Sequence, residues 1–296
     1  MESWKDNKLA FWIFALPGTF WLVVFFLAPL AIVWALSFGE QVSLVDTKVT
    51  GTLENYARAL TDPVYIKIIW KSVWLSVLAT ALCLFVAYPI AFFISFVRGR
   101  WKMILLVAII LPFWINLLIR TYAILAVFRT RGLVNFGFEW VYNFLFLDKL
   151  FGPFEPFELL YNNFAVAFGL VYVFMPFMVL PLYASIERLD KSYLEASLDL
   201  GANQVKTFFR VTVPLTMPGI VSGIILVFIP MLGSFLIPDL LGGTNAQMIG
   251  NVIERQFKAA NDYPFGAALS FLLMYVTFGA LALRAFFQGR KSGGDF

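Results

Sequence analysis

Between Lys8 and Glu40 the chain carries no charged side chain, and that run alone exceeds the roughly 17–25 residues a helix needs to cross a bilayer. Similar runs lie between Lys71 and Arg98, Glu158 and Glu187, Arg210 and Asp239, and Asp262 and Arg284; another begins after Lys102 and continues past Arg120 to about Phe128. In hydrocarbon every backbone amide must find its partner within the protein, which favours helices. Barrel strands would alternate apolar and polar side chains over about ten residues, whereas these runs are continuous. The pattern predicts an all-α integral membrane protein with six transmembrane helices. The first run is longer than a signal-peptide core, about 7–15 residues, and no small-x-small site follows, so it reads as a retained helix.

Composition agrees: of 296 residues 61% are hydrophobic and 14% charged, against about 45–50% and 25% in soluble domains. There is no histidine and one cysteine, Cys83, inside an apolar run. An intrachain disulfide and zinc sites of the His/Cys kind are therefore excluded, and Cys83 reads as a small buried hydrophobe. No metal or cofactor is implied.

Lysine and arginine set the orientation. With the N-terminus inside, the inner segments hold Lys5, Lys8, Arg98, Arg100, Lys102, Arg188, Lys191, Lys206, Arg210, Arg284, Arg290 and Lys291, twelve basic residues against seven acidic. The outer segments hold ten against eleven and are longer. The expectation is N-in/C-in, one transmembrane domain over residues 1–296, with segment 187–218 as a cytoplasmic loop within it. The outer stretch GPFEPFELL (152–160) mixes aromatic and acidic residues, suited to the outer interface.

The inner segment SYLEASLDLGANQVKTFFRVTVPLTMPG (192–219) is charged and helix-like. Ser192 and Glu195 fit a capping box. Leu194 and Leu198 face one side of a short helix, Glu195 and Asp199 another. Gly201 can end that helix in the left-handed conformation. Asn203 can cap a second helix bearing Val205, Phe208 and Phe209, with Pro214 and Pro218 at the entry to the fifth span. Physics leaves two readings of this helix-turn-helix: an amphipathic connector on the headgroups, or a knob that docks into a groove of another protein.

The spacing Glu195-Ala196-Ser197, three residues, Gly201, nine residues, Val211-x-Val213-Pro214 resembles the EAA loop of bacterial ATP-binding-cassette importer permeases. The family pattern is Glu-Ala-Ala, Gly, then Ile-x-Leu-Pro; this chain departs from it at Ser197, Val211 and Val213. The resemblance implies a knob that inserts into an ATPase subunit, with Glu195 and Gly201 central and Leu194, Ala196, Ser197 and Leu198 beside them. No G-x-x-x-x-G-K-[ST] phosphate loop occurs, so ATP hydrolysis falls to a partner chain and this chain is no enzyme. The segments PFWINLLIRTYAIL (112–125), LVYVFMPFMVLPLYASIERLDKSYLEASLDLGA (170–202), VPLTMPGI (213–220), PDLLGG, IGNVIERQF and PFGAA (238–268) are similar to permeases of spermidine/putrescine importers. By resemblance the partners are two ATPase subunits, a second homologous permease and a periplasmic or lipid-anchored polyamine-binding protein, in a bacterial inner membrane.

A polycation needs carboxylates and aromatic faces. Asp239 follows Pro230, Gly233 and Pro238, which interrupt the fifth span, and interrupted helices border transport sites; the alternative is that it ends a helix at the interface. Trp114, Tyr122 and Tyr172 are candidate aromatic walls, against a lipid-facing or packing role, and Glu254 is a further acidic candidate. Arg120 would repel a polyamine; it is expected to snorkel or to pair with an acidic neighbour. Permeases for other small solutes share this plan. An ion-coupled secondary transporter needs ionisable groups deep in its helices, and no acidic residue lies mid-span. A scaffold without transport is separated by uptake.

Overall fold

The computed structural model describes residues 8–43, 46–146 and 152–292, without the side chains of 8–10 and 280–292. Lys5, and the side chains of Lys8, Arg284, Arg290 and Lys291 used in the orientation argument, lie outside the described residues. The elements are helical apart from one hairpin, and they fall into two compact units, residues 1–66 with 252–296 and residues 67–251.

The first unit begins with α1 (Lys8–Leu22), which passes through a π-helical turn (Val23–Leu27) into α2 (Ala28–Leu36). Together they make an apolar rod over Phe11–Leu36 whose side chains are almost all exposed, as expected of a surface made for lipid or other helices. A hairpin of β1 (Gly39–Gln41) and β2 (Thr47–Val49) and the short α3 (Glu54–Thr61) follow. Trp34 Nε1 donates to the Tyr275 hydroxyl at 2.6 Å, and Arg58 lies 4.2 Å from the Phe265 ring centre and 3.4 Å from Asp262.

In the second unit, α4 (Pro63–Phe96, almost all of it here) buries a stripe of small side chains, Ser72, Ser76, Ala79, Cys83, Ala87 and Ala91. These recur three to four residues apart and let neighbours approach closely. After a left-handed Gly99 (φ +70°) come α5 (Arg100–Ile110), a 3₁₀ turn (Leu111–Trp114), α6 (Leu117–Phe128) and α7 (Leu133–Phe144). The third run is therefore broken: the parts on either side of Ile115 and Asn116 are bent by 95°. Pro112 removes an amide donor within the 3₁₀ turn, and Asn116 restarts the helix by accepting from the Leu118 amide at 2.8 Å. The stretch from residue 129 contains α7, whose buried Asn135 donates to the Phe157 carbonyl at 3.0 Å and accepts from its amide at 2.9 Å. That pair holds the GPFEPFELL stretch.

The long α8 (Asn163–Glu187) is followed by α9 (Ser192–Asp199), α10 (Gln204–Thr207), a second π-helical turn (Phe208–Thr212), α11 (Val213–Leu215), α12 (Met217–Leu232) and α13 (Leu236–Gly242). The helices α8 and α12 pack at unusually short range. A Cβ on Gly219 would stand 2.3 Å from the Ser185 Cβ, and one on Gly223 2.7 Å from the Met178 sulfur. Two glycines four residues apart form the small-residue seam that draws membrane helices together by van der Waals contact. The fifth run is interrupted at Gly233–Phe235, as its glycine and prolines suggested, and is bent again by 68° between Leu215 and Met217.

Helices α14 (Ile249–Lys258) and α15 (Tyr263–Ser292) end the chain, the latter apolar over Tyr263–Gly279. By length and composition three single helices can cross a membrane, Phe11–Leu36, Pro63–Phe96 and Asn163–Glu187, and five spans result if each bent pair counts as one. Among the described residues Tyr263–Gly279 is a shorter apolar helix, and the bends in the third and fifth runs are what their unbroken lack of charge did not show.

Arg120 also differs from expectation. It is buried at 6% exposure, makes no ion pair among the described residues, and leaves Nε and Nη1 without acceptors. It neither snorkels nor pairs, because α6 turns the side chain inward on the stripe shared with Thr121, Ile124 and Phe128.

Candidate functional site

The segment between α8 and α12 is built from local signals. Asp190 supplies the side-chain bond at the start of α9: its carboxylate accepts from the Ser192 amide at 3.0 Å, while the N-cap residue Lys191 makes none. That bond holds the Asp190 carboxyl below its ordinary pKa. The capping box expected of Ser192 and Glu195 does not form among the described residues; the Asx-type bond of Asp190 stands in its place. At the other end, Gly201 takes φ +82°, its amide donates to the Leu198 carbonyl at 2.9 Å, and the Ala202 amide donates to Ser197 at 3.1 Å. This paired return is the Schellman closure that glycine permits. Asn203 then accepts from the Lys206 amide at 2.8 Å and starts α10.

Hydrogen bonds and one ring contact make the segment a unit. The hydroxyls of Ser197 and Thr207 lie 2.9 Å apart and tie α9 to α10. Phe208 packs edge-on against Tyr88 of α4, ring centres 5.3 Å apart. Tyr88 in turn donates to Thr216 Oγ1 at 2.8 Å, while Thr216 donates to the Thr212 carbonyl. Leu194 and Leu198 face a cavity of about 550 Å³ floored by Phe92 and Phe96 of α4 and closed by Val205, Phe208 and Phe209. Glu195 and Ala196 are exposed, and Leu200, at 89% exposure, stands at the tip beside Gly201. The sequence reading did not single out Leu200, Thr207, Tyr88 or Thr216; the Leu-Gly pair after α9 signalled only the first.

Residues around the interrupted fifth run form a second group. The buried Asn251 donates to the Phe235 carbonyl at 2.8 Å and accepts from the Met248 amide at 3.1 Å. Ser72 Oγ accepts from the Ile249 amide at 2.7 Å, and Lys71 donates to the Asn245 carbonyl. A Cβ on Gly250 would lie 2.6 Å from the Ser234 carbonyl oxygen, so only glycine lets this backbone lie against the break. Asp239 follows on α13, which buries Ile237 and Leu241 against Gly169 of α8 and leaves the carboxylate exposed. That carboxylate makes no ion pair or hydrogen bond among the described residues.

Trp114 (83% exposed), Tyr122 and Tyr172 are all exposed, on the 3₁₀ turn, α6 and α8. The helix α13 packs against both α6 and α8, which places Asp239, Tyr122 and Tyr172 on adjoining elements. Glu254 belongs to the other unit and is already engaged, 2.8 Å from Lys258 one turn on. It is the weaker candidate for a cationic ligand.

Comparison with known proteins places these features in a family. Residues 87–290 match the family described as binding-protein-dependent transport system inner membrane component. The chain is 41% identical over 257 residues to the spermidine/putrescine transport system permease protein PotB of Escherichia coli (strain K12), spanning 86% of this chain and 90% of that one. It is 42% identical to the protein of the same name from Salmonella typhimurium (strain SL1344), covering 86% of each. With that of Haemophilus influenzae it shares 39% over 271 residues, 92% of this chain and 91% of that one. Among solved structures, a bacterial alginate ABC transporter in complex with an alginate pentasaccharide-bound periplasmic protein contains a chain of the same fold. Its TM-score is 0.72 at 17% identity, over 99% of each chain. A second structure, a bacterial ABC transporter that imports alginate, gives 0.69 at 18%, over 97% of this chain and 98% of that one. The broken helices, the glycine seam and the capped segment before α12 all lie within residues 87–290, and over that match the chain belongs to the family of binding-protein-dependent transport system inner membrane components.

Proposed function

We propose that this chain is a permease subunit of an ATP-driven polyamine importer, carrying putrescine or spermidine inward, and that segment 187–218 is its coupling loop. The observation that carries the proposal is the Schellman-closed, hydroxyl-clamped pair α9–α10, fixed to α4 through Phe208 and Tyr88 and continuous with α12. Such a knob can pass a push from a partner into the helices. The likeness to PotB over most of both chains supports the polyamine class.

In this reading residues 1–296 act as one permease domain with six crossings, N-in/C-in, each bent pair counting as one and α15 making the sixth. Two ATPase subunits grip the loops of this chain and of a second homologous permease, at Leu194, Glu195, Ala196, Ser197, Leu198 and Gly201. ATP binding closes the ATPases and turns the cavity outward; hydrolysis resets it. A periplasmic or lipid-anchored binding protein delivers substrate from outside. Asp239 meets an ammonium group, and Trp114, Tyr122 and Tyr172 supply rings for cation–π contact; Glu254 contributes less, being paired. Arg120 lies between Trp114 and Tyr122 in sequence but is buried on α6, so its positive charge is kept off the aromatic wall.

The test is uptake of labelled putrescine and spermidine by polyamine-starved cells with all subunits assembled. One set carries Gly201→Asp, which strains a left-handed position by about 1 kcal/mol and adds charge beside Asp199. Uptake abolished by that change, with the chain still in the membrane, supports both substrate class and coupling loop. Absence of uptake of either polyamine by the wild type sinks the substrate and favours a permease for another small solute.

A further inference from the structure

Where α4 meets α5 lies a cavity of about 260 Å³ walled by Ser95, Phe96, Arg98, Lys102, Glu187 and Lys191. Its charges do not cancel. Lys102 Nζ donates to Glu187 Oε1 at 2.6 Å, which neutralises that pair. Lys191 has only the Phe96 ring, 4.9 Å below its ammonium group. Neither Arg98 nor Lys191 forms an ion pair among the described residues, so two positive charges remain. The α5 helix adds to them: it starts after the left-handed Gly99 with no side-chain cap, and uncapped first-turn amides favour an anion.

The surroundings are apolar. Phe96 lines the cavity with its ring partly exposed, and Trp101, in the first turn of α5, is 59% exposed; tryptophan is a side chain at home between headgroup and acyl chain. A polyamine is repelled here, and of the coupling contacts proposed above only Leu194 lines the cavity. A ligand matched to two free cations and an adjacent apolar rim is an anion with a greasy tail.

We propose that this cavity binds the phosphate of an anionic phospholipid, with its acyl chains lying along Phe96 and Trp101. The inference rests on the orientation proposed above only for the leaflet, which is then the cytoplasmic one; the headgroup chemistry stands on the cavity. A bound lipid would also touch Lys191 at the start of α9, and so would stiffen the joint between α8 and the coupling segment.

The test uses the assembled importer, stripped of lipid in detergent, and native mass spectrometry with added phosphatidylglycerol or phosphatidylcholine of equal chain length. Each cation near a phospholipid headgroup is worth roughly five-fold in affinity, so Arg98→Gln with Lys191→Gln should lose about 30-fold of the preference for phosphatidylglycerol. Arg188→Gln, outside the cavity, should keep it, and Arg98→Lys should retain most of it. Equal binding of both lipids by the wild type, or an unchanged preference in the double variant, overturns the proposal. Displacement of the lipid by millimolar inorganic phosphate would make the ligand a free anion and overturn the lipid assignment. Loss of the ATPase subunits with lipid binding intact would make the cavity a protein contact instead. Lipid retention is read without transport, so its failure is distinct from failure of the polyamine reading.

Discussion

Replacing Gly219 by alanine tests whether the α8–α12 pair is held by backbone approach. The added Cβ would stand 2.3 Å from the Ser185 Cβ and 2.7 Å from the Pro181 carbonyl oxygen. Carbon atoms pack at about 3.5–4.0 Å, so the helices must part locally by about 1 Å. Ser185 can change rotamer only in its hydroxyl, and the Pro181 carbonyl is backbone, so neither neighbour can yield alone. Overpacking of this kind costs about 1–3 kcal/mol, and membrane helices lack a hydrophobic drive to close the gap again. At ~2–4 °C per kcal/mol for a unit of this size, the thermal midpoint of the detergent-purified complex should fall by about 2–12 °C. Tryptophan fluorescence or the fraction surviving gel filtration reads it. Gly223→Ala should cost less, because its obstacle is the flexible end of Met178, and Gly18→Ala should cost nothing, having no atom within 4 Å. A Gly219→Ala midpoint equal to wild type, or a loss larger at Gly18, would refute close approach as the source of this pairing.

Asp239→Asn should raise the KM for spermidine uptake about ten-fold, the worth of a charge-assisted contact, while Glu254→Gln, already paired with Lys258, should change it far less. Equal effects would remove Asp239 from the pathway. Asp190 has a lowered carboxyl pKa in the folded chain because its charged form accepts from Ser192. Its contribution to α9 is therefore full above the ordinary carboxylate range and is lost as pH falls through the lowered value. Asp190→Ala should destabilise the complex at pH 7, and the gap to wild type should narrow as the pH is taken down towards about 3; a gap independent of pH would mean that the cap is not electrostatic.

The membrane class and the runs were legible because hydrocarbon leaves so little choice: a long charge-free stretch must satisfy its own backbone. Gly201 and Asn203 were equally readable, since a left-handed stop and an Asx cap are local chemistry. The 95° break at Ile115–Asn116 was not, although Pro112 and Asn116 stood in the sequence, because charge counting registers length and not bends. The cap at Asp190 was missed since Ser192 and Glu195 offered a complete alternative three residues apart. Arg120 was misplaced because snorkelling depends on which way the side chain leaves α6, and that follows from tertiary packing against α13 and α8. Likewise Tyr88 and Thr216 are 128 residues apart, a contact that no window along the chain reveals.

How the segment would pass force follows from where it can bend. The Schellman closure at Gly201 and the Ser197–Thr207 bond leave little freedom within α9–α10. Freedom lies further on, in the π-helical turn Phe208–Thr212 and the 68° bend at Thr216, where Pro214 and Pro218 deny amide donors. A push on α9 should therefore move α10 with it and be delivered to α4 at Tyr88 and to α12 at Thr216. Cysteines at positions 197 and 207 (Ser197→Cys with Thr207→Cys) test this, since the two side chains touch through hydroxyls 2.9 Å apart and an oxidised pair would bridge the two helices. If the pair moves as one body, oxidation should leave ATP-dependent uptake within about two-fold of the reduced protein, because a cross-link costs nothing where no relative motion occurs. Uptake that collapses on oxidation and returns with reductant would mean that α9 and α10 separate during transport, and the rigid-knob account of coupling would fall.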